Sequence, residues 1–214
     1  MIFKNRTDAG QKLASVLKMK NYNNPFIIAL PRGGVIIAKE IALVLKSPLS
    51  LIITQKIGHP ASPEYAIGAI SADGSIILNN YEIDNLEKGY IEKIKKEKLV
   101  EAQRRQQPYL KGRSTPDLRG HTVILVDDGL ATGLTMKLAI QILKSKNPKK
   151  IIIAVPISSL EASKEVKTLI DEFVCLNVEQ DLQSLGEFYE DFSQVTDKEV
   201  INTLEEVEST AKDA

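Results

Sequence analysis

The stretch "VILVDDGLATGLTM", residues 123–136, decides how this chain is read. Four apolar residues run straight into Asp127 and Asp128, then into a loop of small residues containing Ala131, Thr132, Gly133 and Thr135. In open α/β sheets, the carboxyl ends of the strands form the binding edge. Two ionised carboxylates placed there repel each other unless a cation or hydroxyl donors occupy the gap. The turn through 131–135 into a helix gathers backbone N–H groups at a helix N-terminus, an arrangement suited to a phosphate monoester. Thr132 and Thr135 add hydroxyl donors, so Ala131, Thr132, Gly133, Leu134 and Thr135 read as one anion cradle beside two acids.

Outward from this stretch, the apolar runs are short, β-branched and separated by helical patterns. "FIIAL" (26–30), "LSLIIT" (49–54), "TVILVDD" (122–128), "KIIIAVPI" (150–157) and "EFVCLNV" (172–178) read as strands apolar at every position, as in a parallel sheet covered on both faces. Residues 33–46, 134–146 and 159–170 read as helices, the last opening with Ser158 and Glu161 in capping-box spacing. The expectation is an α/β fold, an open parallel sheet flanked by helices, in one domain over 1–214. Residues 57–121 break the rhythm and read as an insertion. They hold short strands at 64–71 and 75–79 around a turn at 72–74, a charged helix near 84–107, and a basic loop, "PYLKGRSTPDLRGH". Within the charged helix, Asp84–Lys88, Glu92–Lys96 and Glu101–Arg105 stand at i,i+4 spacing. Thr196 and Glu199 predict a second capping box before a final helix near 197–209.

Composition narrows the class. Of 214 residues, 43% are hydrophobic and 26% charged, and 28 Lys+Arg balance 28 Asp+Glu, which argues against a nucleic-acid binder relying on bulk charge. No membrane span or signal peptide is expected, so the predicted setting is cytoplasmic. The single Cys175 lies in an apolar run and reads as a structural thiol, and no zinc site can be built from one cysteine. His59, between Gly58 and Pro60, reads as a loop residue, and His121 as structural.

A second constellation, "ALPRGGV" (29–35), follows the first core strand and opens a helix. Gly33 and Gly34 let amides approach a ligand closely, and Arg32 suits paired phosphate oxygens. Together with the apolar run, the acid pair and the Thr-Gly-x-Thr of 132–135, these residues resemble the type I phosphoribosyltransferases, which use phosphoribosyl pyrophosphate (PRPP). A looser likeness to a stand-alone bacterial subfamily extends over "NRTDAG" (5–10) and "YEDFSQVTDKEV" (189–200).

The resemblance implies that Asp127 and Asp128 hold the ribose hydroxyls and that 131–135 hold the 5-phosphate. Arg32, Gly33 and Gly34 would grip pyrophosphate, with Lys56 assisting at the end of a strand; a solvated lysine is the plain alternative there. A flexible loop carrying Arg105, Tyr109 and Arg113, with Arg104 and Lys111 nearby, would close over PRPP, so 57–121 is the expected flexible-loop insertion. Residues 186–214 would supply a small hood and the last helix. Phe188, Tyr189 and Phe192 could stack on a base there, or pack the last helix onto the core. The implied function is Mg²⁺-dependent transfer of the phosphoribosyl group to a nitrogen acceptor of the nucleobase kind. Magnesium would be bound through PRPP, with no dedicated protein metal site, and dimers are common among such enzymes. A non-catalytic PRPP or nucleotide sensor and a hydrolase of a ribose 5-phosphate compound stay open as alternatives.

Overall fold

Why does the acid pair fall at a binding edge? The chain order of the strands answers this. The computed structural model describes residues 1–84, 86–87, 89–111 and 116–212. Helix α1 (Arg6–Met19) precedes β1 (Pro25–Ala29), α2 (Gly33–Leu45) and β2 (Leu49–Leu51). After an excursion, β6 (Thr122–Val126), α5 (Leu134–Ser145), β7 (Lys150–Ser159), α6 (Leu160–Lys167) and β8 (Glu172–Glu179) follow, and α7 (Asp197–Lys212) comes last. The main sheet runs β2-β1-β6-β7-β8, every pair parallel, which bears out the expected α/β architecture. From β1 the chain steps toward one sheet edge, and from β6 toward the other. The loops after β1 and β6 therefore part company at a topological switch point, where a crevice opens.

Alternation along each strand feeds two cores. Ile27, Ala29, Ile124, Val126, Ile152 and Ala154 face α1, α2 and α7, while Phe26, Ile28, Val123, Leu125, Ile151 and Ile153 face α5 and α6. That two-sided burial is why these runs carry no polar alternation.

The excursion differs from the expectation. "LSLIIT" is not one strand: β2 ends at Leu51, and the chain turns at Ile52 and Ile53 into β3 (Thr54–His59), which pairs antiparallel with β4 (Ser62–Ser71). A short β-branched run with no Gly or Pro inside it gives no local mark of where one sheet ends and the next begins. Then come β5 (Ile76–Leu78), α3 (Asn80–Ile83) and α4 (Tyr90–Leu110). The expected helix from 84 thus starts at Tyr90, after Gly89 at φ +91°. It also runs through Pro108 and Tyr109, which were expected in a loop. Pro108 lies within the last turn, where one missing hydrogen bond is tolerable, and the buried Tyr109 holds that turn down.

Of the expected i,i+4 pairs, Glu101–Arg105 forms at 2.7 Å, Glu92 meets Lys95 instead of Lys96, and Lys88 lies outside the described residues. The cap of α6 is Ser159, whose Oγ accepts from the Ala162 amide at 3.0 Å, and not Ser158, which is buried. Thr196 and Glu199 do form a reciprocal box, with bonds of 2.8 and 3.2 Å, before α7. His121 packs edge-on against Phe26, and His59 Nδ1 accepts from the Ala61 amide within a turn. Cys175 is half-buried, with its thiol pushed by burial up to about 11, and its Sγ donates to the Asn177 carbonyl. No helix among the described residues is long and apolar enough to cross a membrane.

Candidate active site

At the switch point lies a cleft of about 340 Å³ whose lining includes Arg6, Arg32, Gly33, Lys56, Arg105, Asp127, Asp128 and Thr135. Four cations and two carboxyls in one cleft suit a ligand with several negative charges. The loop after β6, residues 131–135, stands beside it. Gly133, at φ +76°, turns the chain into α5, and the first bond of that helix runs from the Lys137 amide to the Gly133 carbonyl at 2.8 Å. Among the described residues no protein group accepts from the amides of Ala131, Thr132 or Gly133. Ser159 Oγ donates to the Ala131 carbonyl at 2.8 Å, tying that loop to the N-cap of α6. Thr135 lines the cleft itself, whereas Ala131, Thr132, Gly133 and Leu134 do not.

The loop after β1 is packed far more closely. The Pro31–Arg32 peptide bond is cis. A Cβ on Gly33 would collide with the Asp128 carboxylate and approach Arg6 Nε at 2.7 Å. One on Gly34 would come within 2.9 Å of Asp127 Cα and the Val126 carbonyl oxygen. The two loops interlock, and only glycine fits between them. The amides of Gly33 and Gly34 open α2 and have no protein acceptor among the described residues.

The two acids divide their work. Asp127 turns inward, and its Oδ1 accepts from the Asp128 amide at 2.8 Å. Burial, then the neighbouring Asp128 charge, raises the Asp127 carboxyl well above the usual carboxylate range. Asp128 is held by Arg6, whose Nε donates to Oδ2 at 2.8 Å, while Tyr189 Oη donates to the Asp128 carbonyl at 2.7 Å. Arg6 also donates through Nη1 to the Ser193 carbonyl at 2.8 Å and lies 3.9 Å over the Phe192 ring. Phe192 stacks on Tyr189 with centroids 4.7 Å apart, and Tyr189 in turn touches Phe3. The C-terminal aromatics therefore pack beneath the acid pair, the second of the two roles open to them. Burial, then the charge of Asp128, holds the Tyr189 phenol protonated far above its ordinary range.

Sequence reading missed Arg6. One signal was available: Asn5 caps α1 by accepting from the Asp8 amide at 3.0 Å, which places a cation at the positive end of a helix, where it is disfavoured without a partner.

The cations expected in a flexible loop are placed differently. Arg105 and Tyr109 stand on α4, because the helix continues past Pro108, and Arg113 lies outside the described residues. Arg105 still reaches the cleft, tethered to Glu101, whose carboxyl Arg104 and Arg105 pull down to about 2. Tyr109 is buried and donates to Asp197 Oδ1 at 2.5 Å, so it is a packing residue and not a lid. Asp197 also receives Arg104 at 3.3 Å and Arg32 at 3.7 Å, and the Tyr109 hydrogen bond leads in lowering its carboxyl. Arg32 thus already faces an anion of the protein. No group of three or more His, Cys, Asp or Glu placed to hold a metal occurs among the described residues.

Comparison with known proteins places the chain in a family. Residues 2–191 match the family described as phosphoribosyl transferase domain. Two proteins of Mycobacterium tuberculosis, Rv0571c and MT0597, whose names assign them provisionally to the phosphoribosyl transferases, are 35% identical over 206 residues, 95% of this chain. The chain spans 46% of the length of these relatives, about half. The crystal structure of TT1426 from Thermus thermophilus is similar at a TM-score of 0.79 and 35% identity, covering 96% of this chain and 99% of that one. AQ2163 from Aquifex aeolicus, at a TM-score of 0.53 and 14% identity over 85% of this chain and 78% of that one, shares the fold alone.

Proposed function

The chain belongs to the phosphoribosyl transferase family, and on that premise we propose that it transfers the 5-phosphoribosyl group of PRPP to a nitrogen nucleophile of the nucleobase class, releasing pyrophosphate. One observation carries the reading: two carboxyls and four cations converge in the switch-point cleft, with open amides on either side. Asp127 and Asp128 receive the ribose hydroxyls, and Ala131 to Thr135 receive the 5-phosphate. Arg32, Gly33 and Gly34 hold the pyrophosphate, and Lys56 and Arg105 offset its charge.

In the transfer, the bond from ribose C1 to the pyrophosphate oxygen breaks, its electron pair leaving with pyrophosphate. The acceptor nitrogen bonds to C1 and then loses its proton to solvent water. C1 becomes oxocarbenium-like between these events, and the Asp128 carboxylate stabilises that positive charge. Asp127 and Asp128 are the only carboxyls lining the cleft among the described residues, which suits Mg²⁺ held chiefly by PRPP oxygens and water. Bound Mg²⁺ would neutralise the leaving pyrophosphate. The proposed setting is the cytoplasm, with PRPP and a small acceptor as partners, no nucleic acid or membrane, and a homodimer as the assembly. Residues 1–214 act as one catalytic domain in this reading.

A second reading follows from the cleft lining, which contains no aromatic side chain among the described residues. Water could then be the acceptor, in a PRPP hydrolase. The deciding experiment is calorimetry of PRPP with and without Mg²⁺ on wild type and on Asp127→Asn/Asp128→Asn, followed by pyrophosphate release with and without purines, pyrimidines and other amines. Mg²⁺-dependent binding lost in the double variant, with release only when an acceptor is present, supports the transferase. Release without acceptor favours the hydrolase, and absence of PRPP binding in wild type ends both.

A further inference from the structure

Arg6 enters the cleft from α1, far in sequence from every loop assigned above. Its guanidinium engages Asp128 Oδ2 and the Ser193 carbonyl, each at 2.8 Å, and its side chain is only 11% exposed. The opposite face of the contact is fixed as firmly: Phe192 lies 3.9 Å beneath the guanidinium, and Tyr189, stacked on Phe192, holds the Asp128 carbonyl. Asp128 is therefore clamped at its side chain and at its main chain by one aromatic-backed unit. Its second carboxylate oxygen, Oδ1, accepts nothing from the protein among the described residues. Nη2 of Arg6 likewise has no protein acceptor among them. A cation at the first position of a helix opposes the helix dipole, so its placement is offset by what it binds.

We propose that Arg6 is the positioning residue for ribose recognition: it occupies Asp128 Oδ2, turns Oδ1 toward a ribose hydroxyl, and presents Nη2 to the same sugar. This rests on the reading of the cleft as a PRPP site. It assigns Arg6 to the sugar and not to pyrophosphate, which separates it from Arg32.

The test is calorimetric titration of wild type, Arg6→Ala and Arg6→Lys with ribose 5-phosphate, PRPP and pyrophosphate, with melting curves on each protein. Arg6→Ala is expected to weaken ribose 5-phosphate and PRPP about tenfold or more, on the order of 1.4 kcal/mol, and to leave pyrophosphate within about twofold. Arg6→Lys is expected to recover part of the loss, because it keeps the charge but lacks the planar fork that spans Asp128 and Ser193. If Arg6→Ala does not fold, Arg6→Lys carries the test through its own ribose-selective loss. Affinities equal to wild type for every ligand, or an equal loss for all three in a folded variant, would overturn the assignment of Arg6 alone. Failure of wild type to bind either ribose ligand would instead bring down the cleft reading on which it rests.

Discussion

The loops after β1 and β6 both use glycine, for opposite reasons. Gly133 has room, its nearest neighbour to an added Cβ being 3.6 Å away, but its φ of +76° is one that L side chains rarely adopt. Gly33 has an ordinary backbone and no room, because Asp128 and Arg6 fill the space where a side chain would go. One glycine is required by torsion and the other by an intruding carboxylate. A loop of the first kind is local and can be written in a few adjacent residues. A loop of the second kind takes its shape only once two distant segments have met.

This contrast can be broken by substitution. Gly33→Ala has the largest expected effect: it must displace Asp128 and Arg6, cost about 1–3 kcal/mol by overpacking, and abolish measurable PRPP binding in calorimetry. Gly133→Ala should cost about 1–2 kcal/mol through its left-handed torsion, and ribose 5-phosphate affinity should fall more than pyrophosphate affinity. Ser159→Ala removes the cap of α6 and the bond to the Ala131 carbonyl. A loss of about 1 kcal/mol is expected in chemical denaturation, with a modest drop in ribose 5-phosphate affinity.

A further prediction concerns Asp127 and is a matter of pH. Its folded carboxyl titrates above its unfolded value, so the stability it contributes is full below the unfolded pKa and is lost as pH rises through the folded one. Melting temperatures should show that loss in wild type, and Asp127→Asn, which cannot ionise, should flatten it. An unchanged pH profile in the variant would remove Asp127 as its source.

The same contrast explains what was legible in the sequence. The five strands of the main sheet, the flanking helices α2, α5, α6 and α7 and the acid pair followed from apolar runs and local motifs, whereas α1 was not read from the sequence. Thr196 and Glu199 were readable because a capping box is a local code, whereas a one-residue shift, Ser158 for Ser159, needed the strand end itself. Arg6 was not legible, because it stands 122 residues before the carboxylate it grips. Strand β3 was not legible because only its first residue, Thr54, belongs to the run at 49–54, and the following "QKIGH" carries a single large apolar side chain, Ile57. Tyr109 followed a proline that normally signals a loop, and only its burial against Asp197 shows why the helix continues.

The clamp on Asp128 also sets a timetable. Tyr189 stands 61 residues after the aspartate whose carbonyl it binds, and Phe192 and Ser193 lie just beyond. At synthesis rates of about 5–20 residues per second, a ribosome takes roughly 3–12 s to move from the one to the other. During that interval the nascent chain carries Arg6, Asp128 and the loops after β1 and β6, but neither the Phe192 ring nor the Ser193 carbonyl that hold the guanidinium from the other side. Alignment of Asp128 thus waits on residues 189–193, and a chain stalled before residue 189 would carry Arg6 and Asp128 without the aromatic-backed clamp that fixes them.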